Sequence, residues 1–453
     1  VNPCNQLFNL TNDYSLKGTK SPAKDMQSSC IFISYYFPPI HSVAVIRNYN
    51  IASELKDAFD NFYVFSTSNQ KLLHQEGHHP GDINVRLLYT FDYRTLIAKL
   101  NPKRKSTHFS EPAKSNRFFS FLIRLNESLP FSLLFGEGGL LYIINGFFQG
   151  KKLLIAASGK KYIYTSYRPA ANIVIGYLLK RAYPDTIWIA SFHDVPVDIT
   201  RRNVLLPSLQ HWLYKKLLSK SDLNISVSEG VAEQLKMYSE KLLVMRNGIT
   251  IREPSDRVKS QKFTVCYTGS LYQDFRNPTL LFIALQELIA EGILKTDDFI
   301  IQYAGKDGQK WHNFMATFPG LLDSSQIMGE VTHAESLTLQ QQADVNLLLT
   351  WSDQNHKGML TGKLYEYIGS CNPVICLVTG DAEDDELNNI FSDLHCGLIC
   401  YVGVRQSKQI LKTFIRALFV QWKETDTYTP YILKALPDLY SWKNQVNKLI
   451  SAM

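Results

Sequence analysis

The stretch Gly362-Lys363-Leu364-Tyr365-Glu366-Tyr367-Ile368, followed by Asn372-Pro373-Val374-Ile375, decides how this chain is read. It reads as a glycine-containing turn, a short helix carrying one carboxylate, a second turn and a buried strand. A helix start preceded by Thr361-Gly362 presents backbone N–H groups that no earlier carbonyl can reach, at the positive end of the helix dipole. That is a ready site for a diphosphate. Glu366 lies four residues after Gly362, one turn along, where its carboxylate can accept hydrogen bonds from a ribose diol. One short element could therefore hold both halves of a nucleoside diphosphate. The same residues would equally serve as a capped helix with Glu366 facing water, so the surrounding pattern has to decide.

Working outward, the helix-then-strand pattern recurs. Apolar strand-like runs fall at 263–268, 298–304, 345–350, 373–378 and 397–401, with helical patterns at 277–292, 334–342, 362–370 and 405–422. An earlier series begins with the apolar run 30–37, the loop Pro38-Pro39-Ile40-His41-Ser42, a helix over 44–59 and a strand at 61–66. It continues with strands at 161–165, 186–192, 223–227 and 242–245 and helices at 169–182 and 205–220. Strands alternating with helices predict parallel sheets, and two successive series predict an α/β chain of two doubly wound, Rossmann-like domains. The pattern breaks near 247–262, where Asn247-Gly248, Pro254 and a charged run intervene. The division is therefore 28–250 and 251–435, after a polar leader over 1–27 that has no apolar signal core and is expected to be disordered. Met26 is a candidate start.

The chain has 453 residues, 45% hydrophobic and 20% charged, a composition that forms cores. Its seven cysteines are scattered, and Cys371 and Cys376 flank or lie in an apolar strand, which argues for buried thiols in a reducing compartment over a zinc site. Charge is uneven: residues 1–250 carry a balance of +12 and the remainder −5. The first half therefore faces something anionic, for which a membrane surface, a phosphorylated acceptor or nucleic acid would each serve. Over 101–150 a basic stretch (Lys103, Arg104, Lys105, Lys114, Arg117) precedes many aromatic and aliphatic residues. Arg124, Glu127 and Glu137 interrupt it short of the ~20 apolar residues that span a bilayer. Such a segment suits an interfacial contact or helices packed on the first domain.

Ligands of open α/β sheets bind where the strands end, and short motifs stand at those places: Pro38–Ser42, His193-Asp194, Asn247-Gly248-Ile249, Gly269-Ser270 with Arg276, and Thr361–Glu366. With Ser34-Tyr35-Tyr36-Phe37-Pro38-Pro39, Arg47, Val227-Ser228-Glu229, Arg276-Asn277-Pro278, Ala343-Asp344-Val345 and Tyr440-Ser441-Trp442, the ensemble resembles GT-B-fold glycosyltransferases, most closely the retaining family 4. The resemblance runs over roughly 30–453. It implies a nucleotide-sugar donor on the second domain, an acceptor on the first, and a last helix, 436–453, returning to the first domain. Glu366 matches the ribose-binding glutamate. Thr361 and Gly362 match the pyrophosphate-binding turn, and Arg276 the neutralising cation. Gly269 and Ser42 stand in donor-facing loops, and His193 and Asp194 where relatives keep a residue beside the reacting sugar, with Asp198 and Arg201-Arg202 nearby. No cofactor and no metal are expected, since a fixed cation and helix N–H groups can carry the leaving charge and no Asp-x-Asp motif occurs.

Three departures stand out. Gly358 occupies the place of a sugar-facing glutamate, leaving backbone of 358–360 to read the sugar. Ser270 replaces a second cation, which Lys363 could supply. Ser42-Val43 replaces a glycine pair. The reading that results is a glycosyltransferase of cell-surface polysaccharide or glycolipid synthesis, peripheral at the cytoplasmic face of the membrane. A GT-B nucleotide-sugar epimerase or a non-catalytic GT-B scaffold are the alternatives. A nucleic-acid partner is not expected, because the basic residues are dispersed through the α/β units.

Overall fold

The structure, a computed structural model, describes residues 27–40, 43–70, 80–93, 95, 121, 124–198, 203–252, 259–272, 275–354, 357–358, 360–425 and 438–453. Residues 1–26 of the expected leader, Ser42, the basic residues 103–117 and Arg201-Arg202 lie outside the described residues.

The first series opens with β1 (Ser28–Ile33), α1 (Val43–Leu55), β2 (Asn61–Thr67) and β3 (Val85–Leu88). It goes on through α2 (Gly139–Ala156), β4 (Lys160–Tyr167), α3 (Ala170–Ala182), β5 (Ile187–Phe192), α4 (Pro207–Leu218), β6 (Leu223–Ser226), α5 (Glu229–Leu235) and β7 (Leu242–Val244). The strands form one seven-stranded sheet in the order β3-β2-β1-β4-β5-β6-β7, parallel throughout. The second series comprises β8 (Phe263–Thr268), α6 (Thr279–Ala290), β9 (Phe299–Ala304), α7 (Gly308–Met315), β10 (Ser325–Gly329) and α8 (His333–Gln342). It ends with β11 (Val345–Trp351), α9 (Gly362–Gly369), β12 (Val374–Thr379), α10 (Asp385–Leu394), β13 (Gly397–Tyr401) and α11 (Ser407–Glu424). Its six strands are ordered β10-β9-β8-β11-β12-β13, again all parallel.

Such sheets are covered on both faces, so their strands read as continuous apolar runs. In β1 the run Cys30-Ile31-Phe32-Ile33 divides by alternation. Ile31 and Ile33 pack with α2, α3 and α4, whereas Cys30 and Phe32 pack with α1 and the last helix, α12 (Trp442–Ala452). That helix returns to the first domain: Val446 and Leu449 are fully buried against α1. Ser441 caps its start by accepting from Asn444 N–H at 3.1 Å, and Ile249 N–H donates to Tyr440 O at 2.8 Å. The two domains facing a cleft and the returning helix match the expected architecture.

The short edge strands β3 and β10 escaped the sequence reading, as did α5, α7 and α10. An edge strand such as Ser325–Gly329, with only its ends half-buried, needs no apolar run. The segment around 139–156 resolves into one helix with two kinds of face. Tyr142, Ile143, Gly146, Gly150 and Leu154 are buried, and a Cβ at Gly146 or Gly150 would lie only 2.6 or 2.7 Å from Ile175 or Leu179 of α3, so the glycines let the two helices close up. Leu141, Ile144, Phe148 and Ile155 point to solvent. All six described cysteines are buried free thiols, and no group among the described residues could hold a metal ion.

Because α12 is held by a few side chains, Leu449→Ala should be costly. Removing a fully buried leucine leaves a cavity worth about 2–5 kcal/mol, and urea unfolding of the first domain should register that loss. A change below about 1 kcal/mol would mean that the helix is not docked as described.

Candidate functional site

Strand order reverses between β1 and β4 in the first sheet and between β8 and β11 in the second. Ligands of open α/β sheets bind outside the carboxyl ends of strands at such reversals. Both domains contribute to one cavity of about 310 Å³. Pro38, Ile40 and Arg47 line it from the first domain, Thr250 and Arg252 from the connection, and His333, Gly362, Tyr365 and Glu366 from the second.

Glu366 is the electrostatic centre of the second-domain wall. Its side chain is 13% exposed. Lys363 Nζ and Gln340 Nε2 stand 2.8 and 3.1 Å from Oε2, and His333 Nε2 stands 3.2 Å from Oε1. Burial by itself would raise this carboxyl. The hydrogen bond to His333 and the charge of Lys363 outweigh burial and bring it down to about 2. Glu366 is therefore an ionised acceptor at any ordinary pH, oriented before a ligand arrives. Gln340 Nε2 lies between Glu366 and Thr268 Oγ1 (3.0 Å), which ties the end of β8 to the start of α9. Arg252 bonds the carbonyl of Glu366 and Gln340 Oε1.

At the start of α9 the Thr361 side chain makes no capping bond. Among the described residues no acceptor meets the N–H groups of Gly362 and Lys363. Lys363, expected to replace the cation missing at Ser270, turns its ammonium to Glu366 and to Ser336 Oγ (3.1 Å) instead. Gly269 has φ +151°, a conformation that side-chain-bearing residues avoid, and its N–H donates to Ala304 O at 2.8 Å. It shapes the turn and has no N–H left for a phosphate. Arg276 Nη1 donates to Ser270 O at 3.1 Å, and its guanidinium lies 5.8 Å from the centre of the Trp351 ring. The backbone of Gly358, expected to help read a sugar, is already engaged: its N–H donates to Asp384 Oδ2 at 2.8 Å.

In the first domain His193 and Asp194 follow β5, both half-buried. Asp194 Oδ2 lies 3.6 Å from Arg168 Nη2, and Arg168 Nη1 lies 3.5 Å from Glu127 Oε1. Arg168, which the sequence reading missed, thus sits between two carboxylates at the end of β4, and Asp194 serves it as well as its neighbour. Burial depresses the His193 imidazole to about 4; Asp194 works against this and the charges of Arg47 and Arg168 work with it. Arg47 is buried and bonded to Asn247 Oδ1 (2.7 Å) and Met245 O (2.8 Å). Of the expected residues, Gly362 and Glu366 line the shared cavity, with Thr361 and Lys363 adjoining them and Gly269 joined through Thr268 and Gln340. His333, Gln340 and Arg252 were not anticipated; the one available signal was Thr332-x-x-Glu335, a capping box that starts α8 and puts His333 in its first turn.

No family model matches the chain, and no curated protein sequence matches it. Solved structures do. The chain is similar to the lipopolysaccharide outer core galactosyltransferase WaaB, with TM-score 0.52 and 12% identity over 94% of this chain and 100% of that one. It is similar to sucrose-phosphate synthase from Thermosynechococcus elongatus (TM-score 0.55, 14% identity, 94% and 98% covered). A structure described as a putative UDP-N-acetylglucosamine 2-epimerase from Listeria monocytogenes also superposes (0.50, 10%, 94% and 95%). The likeness is one of fold: this is a GT-B-fold protein. An epimerase shares the fold, so the choice of activity rests on the site.

The neutral His193 has a consequence for stability. Between the ordinary imidazole value of 6.5 and about 4, the unfolded chain binds a proton at this residue that the folded chain does not. Stability should therefore fall as pH falls through that window. His193→Gln should flatten the decline of Tm between pH 6.5 and 4 relative to the wild type. An unchanged slope would show that the ring titrates normally.

Proposed function

We propose that the protein is a retaining glycosyltransferase. It moves a sugar from a nucleotide-sugar held by the second domain to a glycolipid or polysaccharide acceptor presented on the first. The observation that carries this reading is Glu366, a carboxylate kept ionised by three donors beside a helix start with open N–H groups, in a cavity that both domains line. The carboxylate accepts from the ribose hydroxyls. The N–H groups of Gly362 and Lys363 and the Arg276 guanidinium face the diphosphate. As the sugar departs, negative charge builds on the diphosphate. Fixed dipoles and a fixed cation stabilise that charge without having to reorganise, so the step needs no divalent metal. Retention is what the resemblance to family 4 implies. His193, neutral above about pH 4, is the first-domain group able to accept a proton from, or orient, an acceptor hydroxyl. Asp194 and Arg168 hold the loop on which it stands.

Transfer is favoured over epimerisation by the outer face of the first domain. Exposed Phe131, Leu134, Leu140, Leu141, Ile144 and Phe148 lie on and just before α2, and Leu206, Leu209 and Trp212 lie on and just before α4. The two groups belong to one surface, since Leu129 N–H donates to Gln210 Oε1 and Leu205 N–H to Ser128 Oγ. Exposed Lys151, Lys152, Lys215 and Lys216 follow the apolar residues on both helices. No helix among the described residues is long and apolar enough to cross a membrane. This face is suited to lie on an anionic membrane, where a lipid-linked acceptor would be found.

Two measurements test the reading. Nucleotide release should be screened over common nucleotide-sugars, with membrane extract as acceptor and excess chelator throughout. One donor should turn over, and its free nucleoside diphosphate should bind Glu366→Ala roughly ten- to a hundredfold more weakly, the loss of hydrogen bonds to a charged group. Equal affinity for both proteins would remove Glu366 from the site, and activity restored only by added divalent metal would overturn the metal-free step. Separately, the protein should co-sediment with phosphatidylglycerol vesicles more than with phosphatidylcholine. Salt should weaken that binding, because screening limits surface charge to ~8 Å at physiological ionic strength. Phe148→Asp should weaken it at every salt concentration, and no preference between the lipids would leave the apolar face without this partner.

A further inference from the structure

With Gly358 in place of a glutamate and its N–H taken by Asp384, the sugar of the donor needs another reader. We propose that Tyr272, Phe275 and Trp351 form an aromatic shelf on which the donor's sugar ring stacks. This rests on the donor reading given above.

Trp351 is the last residue of β11, and Tyr272 and Phe275 lie in the loop that leaves β8. The three rings therefore bridge the reversal of strand order in the second sheet. Their planes are nearly parallel. Tyr272 and Trp351 are 5.6 Å apart at 12°, Phe275 and Trp351 5.4 Å at 30°, and Tyr272 and Phe275 6.5 Å at 22°. The three similar distances form a triangle, so the rings overlap as one offset-stacked group and do not make a column. All three are half-buried and none belongs to the two large apolar clusters of the second domain. Large aromatic surface outside a core, at the ligand edge of a sheet, is surface kept for something that binds. Phe275 is fixed there by its carbonyl, which accepts from Thr379 Oγ1 at the end of β12.

The chemistry fits a sugar. One face of a pyranose is a set of C–H bonds, weakly positive and apolar, which meets the negative face of an aromatic ring as a cation does. The Arg276 guanidinium, assigned above to the diphosphate, lies 5.8 Å from the Trp351 ring centre. A ligand with its phosphate at Arg276 thus has its sugar next to the shelf. Buried donors are normally satisfied, yet Trp351 Nε1, Ser352 Oγ and Arg276 Nε have no hydrogen-bond partner among the described residues. Sugar hydroxyls are groups of the kind that would satisfy them.

The test is calorimetry with UDP, GDP and ADP and with their glucose conjugates, together with UDP-galactose and GDP-mannose, on wild type, Trp351→Leu and Tyr272→Leu. Thermal melts establish that each variant is folded, and the half-buried Tyr272 provides a second variant if Trp351→Leu is not. For the nucleotide that the wild type binds, either leucine variant should weaken the sugar conjugate roughly tenfold, the scale of one lost aromatic contact. Affinity for the free diphosphate should stay within twofold, and Trp351→Phe should keep most of the conjugate's affinity. Unchanged affinity for the conjugate overturns the shelf. An equal loss for conjugate and free diphosphate also overturns it, because the rings would then hold the base. If the wild type binds no nucleotide at all, the donor reading itself fails, and the shelf fails with it.

Discussion

Glu386 fastens the two domains to each other, and the cleft takes its shape from that contact. From α10 of the second domain it accepts from Glu229 N–H at 2.8 Å and from Arg246 Nε at 2.6 Å, both in the first, while Arg246 Nη2 also meets Glu229 at 3.1 Å. Burial pushes the Glu386 carboxyl upward and Arg246 opposes it. A buried ion pair of this kind adds little net stability, but it tolerates few alternative geometries. It fixes how one ligand edge faces the other. Trp442 reinforces the arrangement from behind: it packs so closely on Gly248 that a side chain there would collide with the indole.

This seam also explains what the sequence could and could not tell. Two series of strand and helix patterns were enough for two parallel sheets, because doubly covered strands such as Cys30–Ile33 carry a strong local signal. The loop motifs were located at the right edge, but several serve the joint between domains more than the ligand. Asn247 holds Arg47, Gly248 makes room for Trp442, and Ile249 bonds Tyr440. Ser228 caps α5 through Val231 N–H, and Asp344 receives Thr264 N–H at 2.8 Å. A loop motif at a sheet edge can therefore hold the frame as readily as a ligand. What was not legible was the company of Glu366. Arg252 comes from the connection between the domains and His333 and Gln340 from α8, and no spacing rule joins either place to a carboxylate on α9 that only tertiary packing brings near.

That company changes what Glu366 is. A lone glutamate in a half-closed cavity would lose charge through burial and move freely. With Lys363 and Gln340 on one oxygen and His333 on the other, it is charged and aimed. His333 alone meets Oε1 among the described residues, so that oxygen keeps acceptor capacity for an incoming hydroxyl. The ordering entropy of the side chain is spent in folding and not at the moment of binding, which is the physical content of preorganisation.

Gly358 stands in the seam where the two domains meet. Its φ is +66°, and a Cβ there would stand 2.6 Å from Gly230 N and 2.8 Å from Glu386 Oε2. Gly230 is equally confined by the backbone of Lys357. Two stretches of main chain from different domains rest on each other at this point. A glutamate placed at 358 would act as a wedge, prising the cleft apart. The seam thus admits no side chain at 358 or 230, and any substitution there acts first on how the two domains face each other.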